Sequence, residues 1–207
     1  SIAITSRVAA KSASPAQMEP TVNMMGGGPT RVNDDFTFEM HSLFDRRLIR
    51  ASVGAGNIMG SAGWFLKSVL LDGEDITDTG VEFTPGRAYD GIQIIFTQKT
   101  TDLSGLVMDE RNKPVLDATV LIFPANQNKW TFQSRFVRTS RPDTNGRYNI
   151  KSLPPADDYL IIAVQNLEPG QGSDPDFLSR AREEAQPFTL NEGETKAVDI
   201  RLSTLVP

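Results

Sequence analysis

The sequence of 207 residues contains no cysteine and a single histidine, His41. Without cysteine the chain has no disulfide, no thiol nucleophile and no thiolate metal ligand. A catalytic zinc site usually takes about three protein ligands, commonly including histidines, and Ser-His-Asp catalysis depends on a histidine, often beside a G-x-S-x-G turn that is missing here. We therefore predict no enzyme activity, no metal centre and no cofactor, and we interpret His41 as a surface residue.

Long apolar runs and a strong charge bias are absent as well. No run approaches the ~20 residues that a membrane helix needs, so the chain is predicted not to be embedded in a membrane. The 21 basic and 26 acidic residues give a net charge of −5, and neither half of the chain is basic, so nucleic acid is not expected as a partner. The 39% of hydrophobic residues, 16 glycines and 13 prolines are typical of a globular, turn-rich protein.

The clearest local pattern lies at residues 103–123. Leu103, Gly105 and Val107 alternate with the residues between them, and a polar run then leads to Pro114. Residues 118–123 are almost wholly apolar and rich in β-branched side chains. The pattern predicts a strand, a connection and a second strand that is buried on both faces.

Similar patterns predict strands along the whole chain. In the first half the predicted strands are residues 2–8, 36–40, 48–53 and 89–97, with 64–71 either a strand or a short helix. In the second half they also include residues 130–139, 148–150, 159–164, 188–190 and 196–202. Residues 9–35 are rich in Ala, Ser, Pro, Met and Gly and are predicted to form a long loop with little regular structure.

One helix is predicted, at residues 174–185. Ser173 or Asp174 is a suitable N-cap, and Pro175 suits the first turn. Phe177 and Ala181 are four residues apart, so they would face a sheet together. The predicted fold class is mainly β, with one short helix in the second half.

Apolar landmarks of the first half recur in the second half after about 105 to 110 residues. Phe38 and Met40, for example, recur as Tyr148 and Ile150. A period of this length is one whole domain and not a solenoid repeat. We predict two tandem domains, at residues 1–98 and 99–207.

The same repeat aligns residues 2–8 with residues 119–123. The first domain is then expected to lack a counterpart of the opening strand at 103–107, which would leave an open sheet edge. We predict that residues preceding Ser1 fill this edge, or that a neighbouring copy donates a strand and builds a fibre-like assembly. The predicted assembly edge consists of Ile2, Ile4 and Thr5.

Three segments of the second half occur in a familiar order: GLVMDERNKPVLDATVLIF, DTNGRYNIKSLPP and DYLIIAV. This order resembles the carboxypeptidase regulatory-like domain, in which a G-x-V-x-D-x-x-G-x-P opening precedes an A-x-V strand, a D-G-x-Y/F turn and an L-P-P-G-x-Y bend. Asn112 stands where that family usually has glycine in the opening, and Ala156 stands where it has glycine after the prolines. Local differences are expected at both places.

The resemblance covers residues 103–202 well and residues 2–97 more loosely. It implies two tandem seven-stranded, prealbumin-like β-sandwiches with Greek-key character. Domains of this kind often occur in tandem in large secreted or surface bacterial proteins.

An acidic loop is a candidate calcium site. It contains Asp72, Glu74, Asp75 and Asp78. Calcium takes six to eight oxygen ligands, but the EF-hand spacing and its closing glutamate are missing. Turn formation explains the same carboxylates, so no metal site is assigned.

Two tryptophans are candidate ligand contacts. Trp130 shares strand parity with Phe132 and Phe136, and an exposed aromatic face can stack on sugar rings. The alternative, which we favour, is that both phenylalanines belong to the core and only Trp130 is exposed at a loop edge. Trp64 is interpreted in the same way, as a plug over one end of the core.

We predict a non-catalytic structural or interaction module of a larger extracellular bacterial protein. It would lie at the cell surface or be secreted, with the periplasm as the other compartment, and its partners would be other domains or copies of the same protein. The alternative function is a carbohydrate-binding module that holds a polysaccharide with Trp130 and Trp64.

Overall fold

The computed structural model describes residues 4–9, 20–24, 30–33, 35–41, 43, 45–53, 64–99, 101–131 and 134–205. The chain divides into two compact units, Ser1–Lys99 (unit 1) and Thr100–Pro207 (unit 2). Each unit has its own buried core.

The regular structure of unit 1 within the described ranges consists of β-strands. In chain order they are β1 (Ile4–Ala9), β2 (Pro20–Met24), β3 (Thr30–Arg31), β4 (Thr37–Met40), β5 (Asp45–Arg47), β6 (Ile49–Val53), β7 (Phe65–Leu71), β8 (Glu74–Asp75), β9 (Val81–Phe83) and β10 (Tyr89–Thr97). They form a five-stranded sheet of order β4-β1-β10-β7-β8, a three-stranded sheet of order β3-β2-β6 and the pair β5-β9.

The core of unit 1 follows the alternation of its strands. Phe38 and Met40 of β4 are buried together with Ile92, Ile94 and Phe96 of β10, whereas the residues between them are more exposed. They pack against buried residues of β6 and β9 in the same cluster. A strand with one buried face in this way forms one wall of a sandwich.

Two expectations for unit 1 are corrected. Residues 9–35 are not free of regular structure, because Pro20–Met24 pairs with both Thr30–Arg31 and Ile49–Val53. Backbone pairing, not side-chain alternation, makes these strands. At residues 64–71, where the sequence predicts a strand or a short helix, the structure has the strand β7. Residues 54–63 lie outside the described ranges.

Unit 2 is a sandwich of two sheets with one helix outside it. In chain order the elements are β11 (Asp102–Met108), β12 (Thr119–Pro124), β13 (Arg138–Ser140), β14 (Arg147–Ile150), β15 (Ala156–Val164), α1 (Pro175–Glu184), β16 (Gln186–Leu190), β17 (Thr195–Ala197) and β18 (Ile200–Arg201). The sheet orders are β14-β11-β17, with β18 also beside β11, and β13-β12-β15-β16. Neighbours in space are often distant along the chain, as Greek-key topology requires.

The strand β12 is buried on both faces, as predicted. Val120 and Ile122 belong to the core between the two sheets, and Leu121 and Phe123 belong to a second core under the helix. This three-layer arrangement explains why residues 120–123 are apolar at every position instead of alternating.

The helix α1 has the predicted start. Asp174 is the N-cap, and its carboxylate accepts a hydrogen bond from the backbone N–H of Asp176 (2.9 Å). Phe177, Leu178 and Ala181 are buried against the outer face of the β12–β15 sheet. Capping and an apolar face together fix where this helix lies.

The long strand predicted at residues 130–139 is wrong. A short 3₁₀ helix occupies Gln127–Lys129, and the strand begins only at Arg138. The Asn126 side chain accepts a hydrogen bond from the backbone N–H of Asn128 (3.0 Å), and the Ser134 hydroxyl donates to the carbonyl of Lys129 (2.6 Å). These side-chain to backbone bonds favour turns over a sheet ladder.

The strand predicted at residues 196–202 is divided in two. The backbone N–H of Leu106 donates to the carboxylate of Asp199 (2.8 Å), so this side chain takes the place of a backbone acceptor between β17 and β18. The predicted fold class, mainly β sandwiches with one helix in the second unit, is confirmed for the described residues. No helix in the described part of the chain is long and apolar enough to cross a membrane.

Candidate functional sites

Trp130 is buried, contrary to the prediction that it is exposed. Only 9% of its surface is accessible, its indole N–H donates to the carbonyl of Pro124 (2.7 Å), and its ring meets Phe123 edge to face at 5.9 Å between centroids. Trp130 belongs to the core under the helix, whereas Phe136 belongs to the core between the sheets. The shared parity of these aromatics therefore does not correspond to one shared face.

Trp64 is 7% exposed and belongs to the core of unit 1. With both indole rings packed against protein, neither offers an open face to a sugar ring. Phe132 lies outside the described residues. The carbohydrate site expected at Trp130 and Trp64 therefore has no geometric basis.

The acidic loop uses its carboxylates in turns and in one ion pair. Asp75 accepts hydrogen bonds from the backbone N–H and the hydroxyl of Thr77, and Asp78 lies 3.6 Å from the guanidinium of Arg50. Asp72, with φ of 51°, forms the turn between β7 and β8. Within the described ranges, no group of three or more acidic or histidine side chains is placed to hold a metal ion.

The open edge predicted at Ile4 and Thr5 is also wrong. β1 lies inside the five-stranded sheet, antiparallel to β4 and parallel to β10. Ile4 is opposite Met40 on one side and Tyr89 on the other. Its parallel neighbour comes from the far end of unit 1, so local sequence patterns could not reveal it. Ile2 lies outside the described residues.

Three other polar side chains, those of His41, Arg46 and Lys129, lie close to groups of the protein itself. His41 is exposed, with its imidazole 3.6 Å from the carboxylate of Glu39. Arg46 is also exposed, and its guanidinium donates to the carbonyl of Thr79 (2.9 Å). Lys129 pairs with Asp158 at 3.0 Å and also lies 4.9 Å from the ring centre of Phe136.

The structure shows a cavity that sequence patterns did not indicate. It lies in unit 2 between the end strand β13 and the loop at residues 167–173, and its volume is about 460 Å³. Its lining contains hydroxyl, charged and apolar groups, from Thr119, Val137, Arg138, Thr139, Ser140, Arg141, Leu167, Glu168, Pro169, Gly170, Gly172 and Ser173. A volume of this size is in the usual range for small-molecule pockets, about 300–1,000 Å³.

One cavity residue is unusual. Thr119 is 9% exposed, yet its hydroxyl has no hydrogen-bond partner among the described residues. The other buried hydroxyls of the described chain have partners: Thr77 bonds to Asp75, Thr101 accepts from Gly193, and Ser134 donates to Lys129. A cavity of this size can hold water, so the missing protein partner does not imply an unpaired hydroxyl. The only sequence signal was a threonine at the start of an otherwise apolar strand.

Known proteins give no close relative. No protein-family model matches the chain, and no curated protein sequence matches it. Among solved structures, the minor pilin GBS52 of Streptococcus agalactiae aligns with a TM-score of 0.39 and 12% identity, over 100% of this chain and 99% of that chain.

Two further structures align at similar levels. BcpA, the major pilin subunit of Bacillus cereus, gives a TM-score of 0.35 and 15% identity over 88% of this chain and 54% of that chain. The Bacillus anthracis TIE protein gives 0.34 and 13% over 96% of this chain and 33% of that chain. The chain thus spans a third of the TIE protein and about half of BcpA. At TM-scores below 0.5 these alignments do not establish a shared fold.

Proposed function

We propose that the chain is a non-catalytic structural and interaction module of a larger extracellular bacterial protein, built from two like sandwich domains. The observation that carries the proposal is a shared scheme of strand pairing. In both units the first strand pairs antiparallel with the fourth strand and parallel with a late strand. In unit 1 the partners of β1 are β4 and β10. In unit 2 the partners of β11 are β14 and β17. In both units the second strand pairs antiparallel with the third strand and with a later strand. In unit 1 the partners of β2 are β3 and β6. In unit 2 the partners of β12 are β13 and β15.

The registers support the same correspondence. Ile4 is opposite Met40, as Leu103 is opposite Ile150, and two residues further along Ser6 is opposite Phe38, as Gly105 is opposite Tyr148. On this basis β1 is the counterpart of β11, and β2 is the counterpart of β12. The first domain then has an opening strand of its own, which replaces the alignment inferred from sequence.

The turns of unit 2 favour the carboxypeptidase regulatory-like subtype. Asp109 accepts hydrogen bonds from the backbone N–H groups of Arg111 and Lys113, both at 2.8 Å, in the polar run that precedes Pro114. Tyr159 donates to the carbonyl of Pro154 (2.8 Å) and so ties the double-proline bend to the core strand β15. The polar residues of the motif thus hold the sandwich together, a structural role.

The proposed partners are other domains or copies of the same protein. Since β1 has neighbours on both sides, association by strand addition would use strands at the ends of the sheets, such as β4 in unit 1 or β13 and β16 in unit 2. End strands offer unpaired backbone groups that another segment can bind.

Surface labelling tests the proposed location. Intact cells that express the natural protein are treated with a non-penetrating protease, and an antibody against unit 2 follows the surviving fragment. Loss of the signal without lysis is expected, with a cytoplasmic protein as the control that survives. Full protection in intact cells, with digestion only after lysis, would contradict an extracellular module.

A further inference from the structure

We propose that the end strand β13 of unit 2 binds the acidic hairpin at β8 of unit 1 from a second copy of this chain. The proposal rests on the proposed function, in which copies of the same protein are partners, and it names the two surfaces that meet. Both strands have a free side, and their surroundings carry opposite charge. Because the surfaces belong to different units, the contact joins copies head to tail.

Both strands lie at the end of a sheet. Within the described ranges β8 pairs only with β7, and β13 pairs only with β12. The contact of β13 with β14 is made across the sandwich, where the Ser140 hydroxyl donates to the carbonyl of Asn149 (3.1 Å). An end strand has backbone donors and acceptors on its free side, and an extended segment of another chain can pair with them.

The surroundings of β8 are acidic. Residues 68–86 contain five acidic residues and no basic residue. Two of these carboxylates, Asp75 and Asp78, are engaged within unit 1. Asp72 and Glu74 are exposed, and neither forms an ion pair with another described residue. The hairpin therefore presents at least two carboxylates that a basic surface of another molecule can bind.

The surroundings of β13 are basic, although the whole chain has a net charge of −5. Residues 118–142 contain four basic residues and no acidic residue. Arg138, on β13, is half-buried, and Arg141, just beyond it, is exposed. Neither forms an ion pair in the described part of the chain. Both line the cavity beside β13 with one carboxylate, that of Glu168, so the lining favours an acidic segment.

Open space beside β13 gives such a segment access. Five consecutive residues, 137–141, line the cavity, and the loop at residues 167–173 lies opposite them. Successive residues of a strand point to alternate faces, so the space follows the strand itself and not one face of it. The cavity is open to solvent, so a second copy can approach β13 without displacing any part of unit 2.

The charges decide which strands pair. Two copies of β13 would bring arginines together, and two copies of β8 would bring carboxylates together, so both like pairings are opposed by repulsion. Only β8 with β13 brings unlike charges together. A contact between two different surfaces leaves one of each free on a pair of chains, so further copies can add in a row.

Sedimentation velocity of the 207-residue chain tests the contact. In about 0.01 M salt, where the Debye length is about 30 Å, we expect the sedimentation coefficient to rise with protein concentration. In about 1 M salt the Debye length is about 3 Å, and the chain should sediment as a monomer. A chain that remains monomeric in low salt up to about 1 mM protein would overturn the proposal.

Charge reversal locates the two surfaces. Arg141→Glu and Glu74→Lys each reverse one exposed charge and should weaken the association by about tenfold. Lys151→Glu, just beyond the other end of β14, and Glu39→Lys, on the end strand β4 of the same sheet as β8, make equal charge changes at exposed positions. These two control chains should associate as the natural chain does. Equal association of the reversed and control chains would contradict the assigned surfaces.

Mixing the two reversed chains distinguishes a lost contact from a damaged fold. Arg141→Glu keeps the natural β8 hairpin, and Glu74→Lys keeps the natural surroundings of β13. An equimolar mixture should therefore associate although each chain alone does so weakly. Failure of the mixture to recover, with natural circular dichroism spectra for both chains, would rule out the head-to-tail contact. None of these results affects the surface-labelling test of the proposed function, since a location at the cell surface does not require association.

Discussion

Gly105 is the residue with the least space for a side chain in unit 2. A Cβ at this position would lie 1.9 Å from the backbone oxygen of Val198 and 2.9 Å from the ring of Tyr148. Because Val198 approaches with its backbone, the clash cannot be relieved by a rotamer change. The close approach of β11 to the chain between β17 and β18 therefore requires glycine.

Gly105→Ala is expected to destabilise unit 2 by about 1–3 kcal/mol, the usual range for overpacking a closed core. Chemical denaturation followed by far-UV circular dichroism measures the effect. Gly172→Ala is the control, because its Cβ would first meet a side-chain methyl of Leu167 at 3.2 Å. Equal stability of Gly105→Ala and the natural chain would contradict the predicted contact.

Tyr148 also contacts Val198, in the chain between β17 and β18. Its ring is 2% exposed, and its hydroxyl donates to the carbonyl of Val198 at 2.6 Å. Tyr148→Phe should cost about 1–2 kcal/mol, because a buried carbonyl loses its donor. Tyr89→Phe in unit 1 removes a hydrogen bond to the carbonyl of Glu82 (3.0 Å) and provides the comparison. Thermal unfolding of both variants decides whether the Tyr148 bond contributes.

The ionisation of Tyr148 gives this prediction a second measurement. Burial raises the pKa of Tyr148 above its ordinary value of 10.0, so the unfolded chain releases this proton first as the pH rises. The corresponding stability is present below about pH 10 and is lost above it. Between pH 9 and pH 11, the free energy of unfolding of Tyr148→Phe should therefore fall by less than that of the natural chain. A steeper loss in the variant would be inconsistent with this account.

At the scale of single elements, the N-cap of α1 contributes to the stability of unit 2, and one substitution can measure that contribution. Asp174 accepts from the backbone N–H of Asp176, and an N-cap aspartate is worth about 1 kcal/mol. Asp174→Ala should lower the stability of unit 2 by roughly that amount. Asp117→Ala changes the charge equally at an exposed position and should have little effect in the same urea titration. Equal losses in both variants would mean that charge, not capping, is responsible.

The turn before β14 has a predictable pH dependence. The backbone N–H groups of Arg147 (2.9 Å) and Asn145 (2.8 Å) donate to Asp143 and lower the pKa of its carboxylate below the ordinary value of 3.8. The stabilisation is therefore present above the ordinary pKa and is lost as the pH falls through it to the lowered value. Asp143→Asn should show a shallower loss of stability below about pH 4.5.

The urea midpoint measured at several acidic pH values tests this turn. Asp117→Asn, in which no such bonds are removed, should keep the acid sensitivity of the natural chain. An unchanged pH profile in Asp143→Asn would mean that the two backbone hydrogen bonds do not favour the ionised carboxylate.

At the scale of the whole molecule, the two units have separate cores and a boundary between Lys99 and Thr100. Chains of residues 1–99 and 100–207, expressed separately, should each give a β-type circular dichroism spectrum and a cooperative unfolding transition. The result would support two domains. A unit that is unfolded alone but folded in the full chain would contradict independent cores.

Much of the β architecture could be predicted from local patterns. Alternation located β4, β10 and β14, the apolar run at residues 159–164 located most of β15, and the almost wholly apolar β12 was correctly expected to be buried on both faces. The start of α1 was also predictable, because the cap at Asp174 and the spacing of Phe177 and Ala181 act within a few residues. These features depend on backbone geometry and the burial of nearby side chains, both of which a sequence displays directly.

The tertiary structure alone decided which strands are neighbours and which residues line the cavity. β1 is enclosed because β10, about 85 residues later, pairs with it in parallel, and Trp130 is buried because a 3₁₀ turn directs it beneath the helix. Thr119 lines a cavity only because the loop at residues 167–173, far along the chain, lies beside it. Such contacts join residues far apart in the chain, so no local spacing or composition encodes them.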